Sequence, residues 1–251
     1  MAAEFVLSPA SSHTHTVIFL HGKNNTASEF AEEIFESQAS DDRTLPEIFH
    51  SIKWVFPSSG RSPCARFGGE EPQWFDVWSV QDPEEREEMQ AAGLIQSVER
   101  VAEIIKREVE QVPSGKSQHV ILAGISQGCA TAFHALLCSE LRLGGFFGLC
   151  SWLAQRRRLE DIHADEGKWR SFSREFAEAL KTPVFLEHCK NDEVVPFGNG
   201  VLLKDTLRRL GMRVEWREYE ECGEVENGHW LNEPEGVDDV VAFMRGCVGA
   251  R

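Results

Sequence analysis

The run Val120-Ile-Leu-Ala-Gly-Ile-Ser-Gln-Gly-Cys-Ala130 constrains this chain more than any other. It passes from an apolar strand pattern through Gly124-Ile125-Ser126-Gln127-Gly128 into the start of a helix. A strand that reverses sharply into a helix holds its central residue in a strained conformation. Flanking glycines, lacking Cβ, let the two arms pass close together. Ser126 is thereby carried out at the tip, before a helix N-terminus whose free N–H groups favour negative charge. A serine so placed can attack a carbonyl and have the resulting oxyanion stabilised. An ordinary glycine-rich turn shares the five-residue pattern; the strand–turn–helix setting is what favours a nucleophile.

Strand and helix patterns alternate on both sides of this turn. Thr16-Val-Ile-Phe-Leu20 is apolar at consecutive positions, as suits a strand buried on both faces. Lys53–Phe56, Gly145–Cys150 and Pro183–Leu186 also read as strands, Glu4–Leu7 as a short one, and Arg213–Tyr219 as a half-buried edge strand. Helical spacing is found in Ala27–Ala39 and in the face Leu94, Val98, Val101, Ile105 and Val109. It recurs in Ala130–Cys138, Phe172–Leu180, Val201–Leu210 and Val237–Cys247. Gln155–Lys168, with Arg156–Arg158, reads as a charged, solvated stretch. This alternation, without repeat or linker, predicts a single α/β domain over residues 1–251 with a largely parallel sheet. Such sheets carry their sites at the carboxyl ends of the strands.

Residues 58–88 break the pattern with Gly60, Pro63, Gly68, Gly69 and Pro72, and close on Trp74-Phe75-Asp76-Val77-Trp78. Loops this long in compact domains are usually functional, and the aromatics argue against disorder. The stretch is predicted to cover the active-site face. Trp74 and Phe75, with Trp152 and Leu153 beyond another strand end, are expected to form an apolar substrate groove there.

Composition limits the partners. Hydrophobic residues make up 41% and charged residues 27%, as in a globular protein with a sizeable core. The net charge of −15 repels phosphate backbones and anionic headgroups, which argues against nucleic acid and stable membrane binding. No apolar run approaches the ~18 residues of a membrane span. Met1–Phe5 lacks a secretion signal, Ala2 offers no myristoylation glycine, and the end at Arg251 is no prenylation box. Seven scattered cysteines without C-x-x-C spacing read as buried reduced thiols rather than disulfides or zinc ligands. The expectation is a soluble cytoplasmic protein without a metal.

A nucleophilic serine needs a histidine base and a carboxylate to orient it, and on this kind of sheet they follow in the order serine, acid, histidine. His134 lies within the helix after the turn, and His163 has no strand end to fix it. His188 ends a strand and competes, but no strand-end carboxylate precedes it in that order. His229, in the loop Glu221–Glu233 before the last helix, fits the base. Asp192, just beyond the Pro183–Leu186 strand, fits the acid, with Glu193 as the alternative. The oxyanion donors are expected to be the N–H of Gln127 and one from the end of the Thr16–Leu20 strand, taken as Leu20 with its neighbours open.

Several motifs carry a resemblance. Phe19-Leu-His-Gly22, Trp74-Phe75-Asp76, Gly124-Ile-Ser-Gln-Gly128, Ser151-Trp152-Leu153, Asn191-Asp192-Glu-Val-Val-Pro196 and Gly228-His229 occur in this order. Together they resemble the acyl-protein thioesterase, or phospholipase/carboxylesterase, family over nearly the whole chain. The resemblance implies an α/β-hydrolase fold, no metal or organic cofactor, and hydrolysis of thioesters or oxygen esters. It implies Ser126, Asp192 and His229 as the triad, and the N–H groups of Leu20 and Gln127 as the oxyanion hole. The substrate would be an acylated protein or a small acyl ester. Carboxylesterase or lysophospholipase activity on the same fold is the alternative, and a non-catalytic binding protein a more distant one. The chain departs from the family pattern at Lys23-Asn24-Asn25, Cys129 and His188-Cys189-Lys190.

Overall fold

Consecutive residues of a strand point to opposite faces, so a run such as Val17-Ile18-Phe19-Leu20 must be covered on both sides. Ile18 and Leu20 belong to one core with Leu122, Leu94, Val101, Ile105 and Phe133. Val17 and Phe19 belong to a second with Ile121, Phe30, Ile34, Val237 and Met244. The domain is thus a sheet between two helical layers, as the alternation predicted.

The computed structural model describes residues 4–222 and 227–249. The readings of Ala2 and Arg251, and residues 223–226 of the loop that leads to His229, lie outside the described residues. The elements begin with β1 (Phe5–Leu7), β2 (His15–Leu20), α1 (Ala27–Glu36), α2 (Leu45–Ile48), β3 (Ile52–Phe56), β4 (Arg61–Pro63) and β5 (Glu70–Pro72). They continue with α3 (Gln90–Gln111), β6 (Val120–Ile125), α4 (Gln127–Ser139), β7 (Gly145–Leu149), α5 (Arg156–Ala164) and α6 (Glu166–Glu175). The last are β8 (Val184–Cys189), α7 (Phe197–Arg209), β9 (Val214–Tyr219) and α8 (Glu235–Gly249).

Among the described residues the main sheet has seven strands in the order β1-β3-β2-β6-β7-β8-β9. Only β1 runs antiparallel to its neighbour; the other pairs are parallel. From β2 the chain builds outward to β3 on one side and later to β6 on the other. The order therefore reverses between β2 and β6, and a crevice opens there at the carboxyl ends of the strands. Ser126 follows the last residue of β6, the middle strand.

Four readings are refined or corrected. Gln155–Lys168, charged and largely exposed as read, is helical rather than a loop: it forms α5 and the start of α6, with Leu159 the buried residue of α5. Arg156 and Arg157 both pair with Glu84, and Arg156 also with Glu160 at 2.7 Å, so these arginines tie the front loop to α5. The helix predicted over Phe172–Leu180 begins earlier, as α6, and breaks before a short 3-10 turn at Ala179–Lys181. Residues 58–88 are not wholly irregular, because β4 and β5 pair as an antiparallel hairpin. Its tip carries Phe67, 69% exposed, with Gly68 and Gly69 at positive φ in open space.

The cysteine reading is the fourth. Cys189 and Cys222 are joined in a disulfide with Cα atoms 5.6 Å apart, while Cys64, Cys129, Cys138, Cys150 and Cys247 are free. The sequence separation of 33 hides this adjacency. Cys189 ends β8 opposite Tyr219 of β9, and Cys222 lies just past that partner. The cytoplasmic expectation loses the support it drew from seven reduced thiols. Among the described residues no helix is long and apolar enough to cross a membrane.

Candidate active site

β6 ends at Ile125 and α4 begins at Gln127, so Ser126 alone makes the reversal. It holds φ 54° and ψ −127°, a region that is strained for an L side chain. The surroundings over-determine it. Its N–H donates to Leu149 O at 2.9 Å, and its carbonyl accepts from Ala130 N at 3.1 Å and Ser151 Oγ at 2.7 Å. A Cβ on Gly124 would overlap the Cys129 backbone, and one on Gly128 the carbonyls of Leu20 and His21. Close approach of strand and helix is what both glycines permit.

Asp192 and His229 meet from separate loops. His229 Nδ1–H donates to Asp192 Oδ2 at 2.8 Å. The other carboxylate oxygen accepts the N–H groups of Val194 at 2.9 Å and Val195 at 2.8 Å. Burial opposes a charge on Asp192. Hydrogen bonds from His188, His229 and the Val195 N–H outweigh it and hold the carboxyl below its usual range. A neutral imidazole whose Nδ1–H is bound this way keeps Nε2 as its acceptor nitrogen. Glu193, the alternative acid, is exposed and meets its neighbours through its backbone. His188, the alternative base, is buried away from the pocket. His134 bonds the Ala154 carbonyl and His163 packs on the Trp169 ring.

Ser126 and His229 line one pocket of about 340 Å³. Its walls include Gly22, Lys23, Phe30, Arg66, Phe67, Val77, Trp78 and Trp230. Gln127 opens α4 beside it. Leu20 is fully buried in β2, paired with Gly124; the residues of that loop that reach the pocket are Gly22, Lys23, Asn24 and Asn25, the first two nearest the strand end. A Cβ on Gly22 would lie 3.5 Å from that of Ser126. His21 holds this turn. Its Nε2 accepts Ser59 N–H at 3.0 Å, so Nδ1 carries the hydrogen and donates to Gly22 O at 2.7 Å. Burial pushes His21 down to about 4 and keeps it neutral. In the sequence His21 is only a landmark of the strand end; a polar residue directly after a buried strand is the one signal of its role.

Trp74, Phe75, Trp152 and Leu153 do not line this pocket, contrary to expectation; all four are buried in the core. The reason is a set of inward bonds. Trp74 Nε1–H donates to His21 O at 2.8 Å and Trp74 N–H to Gln127 Oε1 at 2.9 Å. Gln127 Nε2–H donates to Phe75 O at 2.8 Å. Trp-Phe thus braces the serine turn, and Phe67 and Trp78 supply the aromatic wall from the same loop. Among the described residues the one group spaced to hold a metal ion is Cys150, Asp192 and His229. Burial, then the charge of Asp192, pushes the Cys150 thiol well up, so it stays protonated. The other two are already bonded to each other. The trio is therefore a poor ligand set.

Comparison with known proteins gives the family. A model of the phospholipase/carboxylesterase family matches residues 1–233. The chain belongs to that family. Within it, the acyl-protein thioesterase 1 of Gibberella zeae is 30% identical over 249 residues, covering 97% of this chain and 94% of its own. The acyl-protein thioesterase 1 of Yarrowia lipolytica is 27% identical, covering 88% of this chain and 91% of its own. The crystal structure of Zea mays acyl-protein thioesterase 2 superposes with a TM-score of 0.75 at 26% identity, covering 99% of this chain and all of that one. The α/β-hydrolase fold is common to the phospholipase/carboxylesterase family and this chain.

Proposed function

We propose that this serine hydrolase cleaves acyl thioesters or carboxylic esters with Ser126 as nucleophile, His229 as base and Asp192 as the acid that orients it. The observation that carries the reading is the Asp192–His229 hydrogen bond ending in the pocket that Ser126 enters. His229 Nε2 takes the Ser126 proton as Oγ attacks the acyl carbonyl. The tetrahedral oxyanion is met by the Gln127 N–H and by an N–H of the Gly22–Lys23 turn, in place of Leu20. On collapse the leaving thiol or alcohol departs with the proton from His229, and water repeats the cycle on the acyl-enzyme. The acyl chain lies against Phe67, Trp78 and Trp230. Acylated proteins are the proposed substrates, after the names of the relatives. The acidic net charge supports a protein that meets acyl groups without anchoring in anionic membranes, and a cytoplasmic place is part of the proposal.

Labelling with a fluorophosphonate tests the reading. One adduct on Ser126 is expected, with both labelling and ester turnover lost in Ser126→Ala. Labelling that persists in that variant would overturn it.

A further inference from the structure

His188 has no part in the pocket, yet it is buried to 1% exposure behind it. Its Nε2 lies 2.9 Å from the carbonyl oxygen of Val195 and 3.1 Å from Oδ2 of Asp192. Both are acceptors, so this nitrogen must carry the hydrogen, which it donates to Val195 O while standing within 3.1 Å of Asp192 Oδ2. Asp192 Oδ2 therefore has an imidazole on either side, His229 bonded to it on the pocket side and His188 close behind. The remaining ring nitrogen, Nδ1, is buried without a hydrogen-bond partner. It faces Gly200 in α7, where a Cβ would overlap Nδ1 and sit 3.0 Å from Cγ. A helix-interior glycine is less stable than alanine. A buried unpaired polar atom is destabilising. An apolar side chain would fill this space without the second cost. What a histidine adds here is one polar N–H held by Val195 O within 3.1 Å of the acid.

We propose that His188 is a positioning residue: its Nε2–H fixes Asp192 Oδ2 and takes up part of the carboxylate's charge, setting how strongly Asp192 favours the protonated form of His229. This rests on the triad reading above. A carboxylate shared by two donors stabilises an imidazolium less than one with a single donor. Loss of the His188 donor therefore misorients the acid, which lowers kcat, and favours the imidazolium, which moves the acid limb of kcat/KM to higher pH. A residue that merely packs would leave that limb in place. The other ionisable groups around the pair are few. Cys150, beyond β7, stays protonated. Glu218 stands opposite His188 in the β8–β9 register and is paired with Lys190. Lys204 of α7 lies over the Trp216 ring. Glu187 precedes His188 in β8, with its carboxyl bonded to Asn232.

The test compares pH profiles of kcat/KM on a short-chain thioester for the wild type, His188→Leu, His188→Asn and His188→Gln, with Ser126→Ala as control. Glutamine sets its amide nitrogen as many bonds from Cα as Nε2; asparagine falls short. Leu and Asn are expected to raise the acid limb by about one pH unit, a loss of about tenfold below it, as for one charge-assisted hydrogen bond. Gln should restore the wild-type limb. If the Leu variant does not fold, Asn against Gln carries the comparison. Coincident limbs in wild type, Asn and Gln would overturn the proposal, as would a Gln limb displaced as far as Asn. Both results leave the triad standing as long as Ser126→Ala is inactive. Turnover by Ser126→Ala would instead overturn the triad, and the role of His188 with it.

Discussion

A Cβ on Gly228 would fall 2.5 Å from the carbonyl oxygen of Asn191. Gly228 also holds φ 65°, which disfavours any side chain. These two residues immediately precede His229 and Asp192, so their close approach brings base and acid into bonding distance. Gly228→Ala should part the two loops. A misplacement of about 1 Å costs about a hundredfold in rate, and a fall of that order in kcat/KM is expected with the circular dichroism unchanged. Full activity in the alanine variant would show that the loops meet without this contact.

Asp192 acts on the substrate only through His229. Once His229 is alanine, removing the acid should change little, because members of a triad are strongly non-additive. The double variant Asp192→Asn, His229→Ala is expected to match His229→Ala alone in kcat. Losses that multiply would mean that the acid works through another group.

Acyl length should register in the aromatic wall. Burying a methylene is worth about 0.8 kcal/mol, or about fourfold in kcat/KM for each carbon until the pocket is full. Phe67 stands at the mouth, its ring flanked by Lys23 at 5.6 Å and Arg66 at 5.4 Å. Phe67→Ala should flatten the slope for longer chains and leave acetyl esters unaffected. An ester series from acetyl to decanoyl checks this, and a flat wild-type profile would remove the acyl pocket.

Glu187 should make stability depend on pH. Its Oε1 accepts Asn232 N–H at 3.2 Å, and Oε2 has no partner. Burial raises the carboxyl from 4.5 to about 8, with Asp239 adding to the effect against the Asn232 bond. Between those values the folded protein keeps a proton that the unfolded chain has released. Its stabilising effect is full below pH 4.5 and is lost as pH rises through 8. Glu187→Gln keeps the shape and removes the titration. Urea unfolding should show this variant gaining on the wild type by on the order of 5 kcal/mol across that window. A constant difference would mean that Glu187 does not titrate there.

Much of this was legible in the residues, and the exceptions have physical reasons. Strands buried on both faces announce themselves as continuous apolar runs, and Gly124 to Gly128 carries its own geometric demand. The short α2 also had a signal, the box Thr44-x-x-Glu47 with Pro46 in the first turn. The β4–β5 pair did not, since three-residue strands ending in Pro63 and Pro72 show no alternation. Which aromatics of a loop turn inward is decided by bonds from distant elements, as Gln127 decides it for Trp74 and Phe75. The Asp192–His229 pairing was readable from strand order; the second imidazole on Asp192 was not, because it depends on the register of β8 against α7.

The β4–β5 hairpin is sewn down at its base and faces solvent at its tip, where Phe67 is exposed. Pro72 O accepts Asn24 N–H at 2.7 Å and Pro63 O accepts Gln73 Nε2–H at 2.7 Å, whereas Gly68 and Gly69 lie in open space. Ser126 is held instead by the central sheet, through Leu149. Ser126 and the hairpin tip thus have separate anchors, while Lys23 and Asn24 of the oxyanion turn share theirs with β5. Descendants of this gene can recolour the tip without moving Ser126, and a tip grafted from a relative should carry the donor's appetite with it.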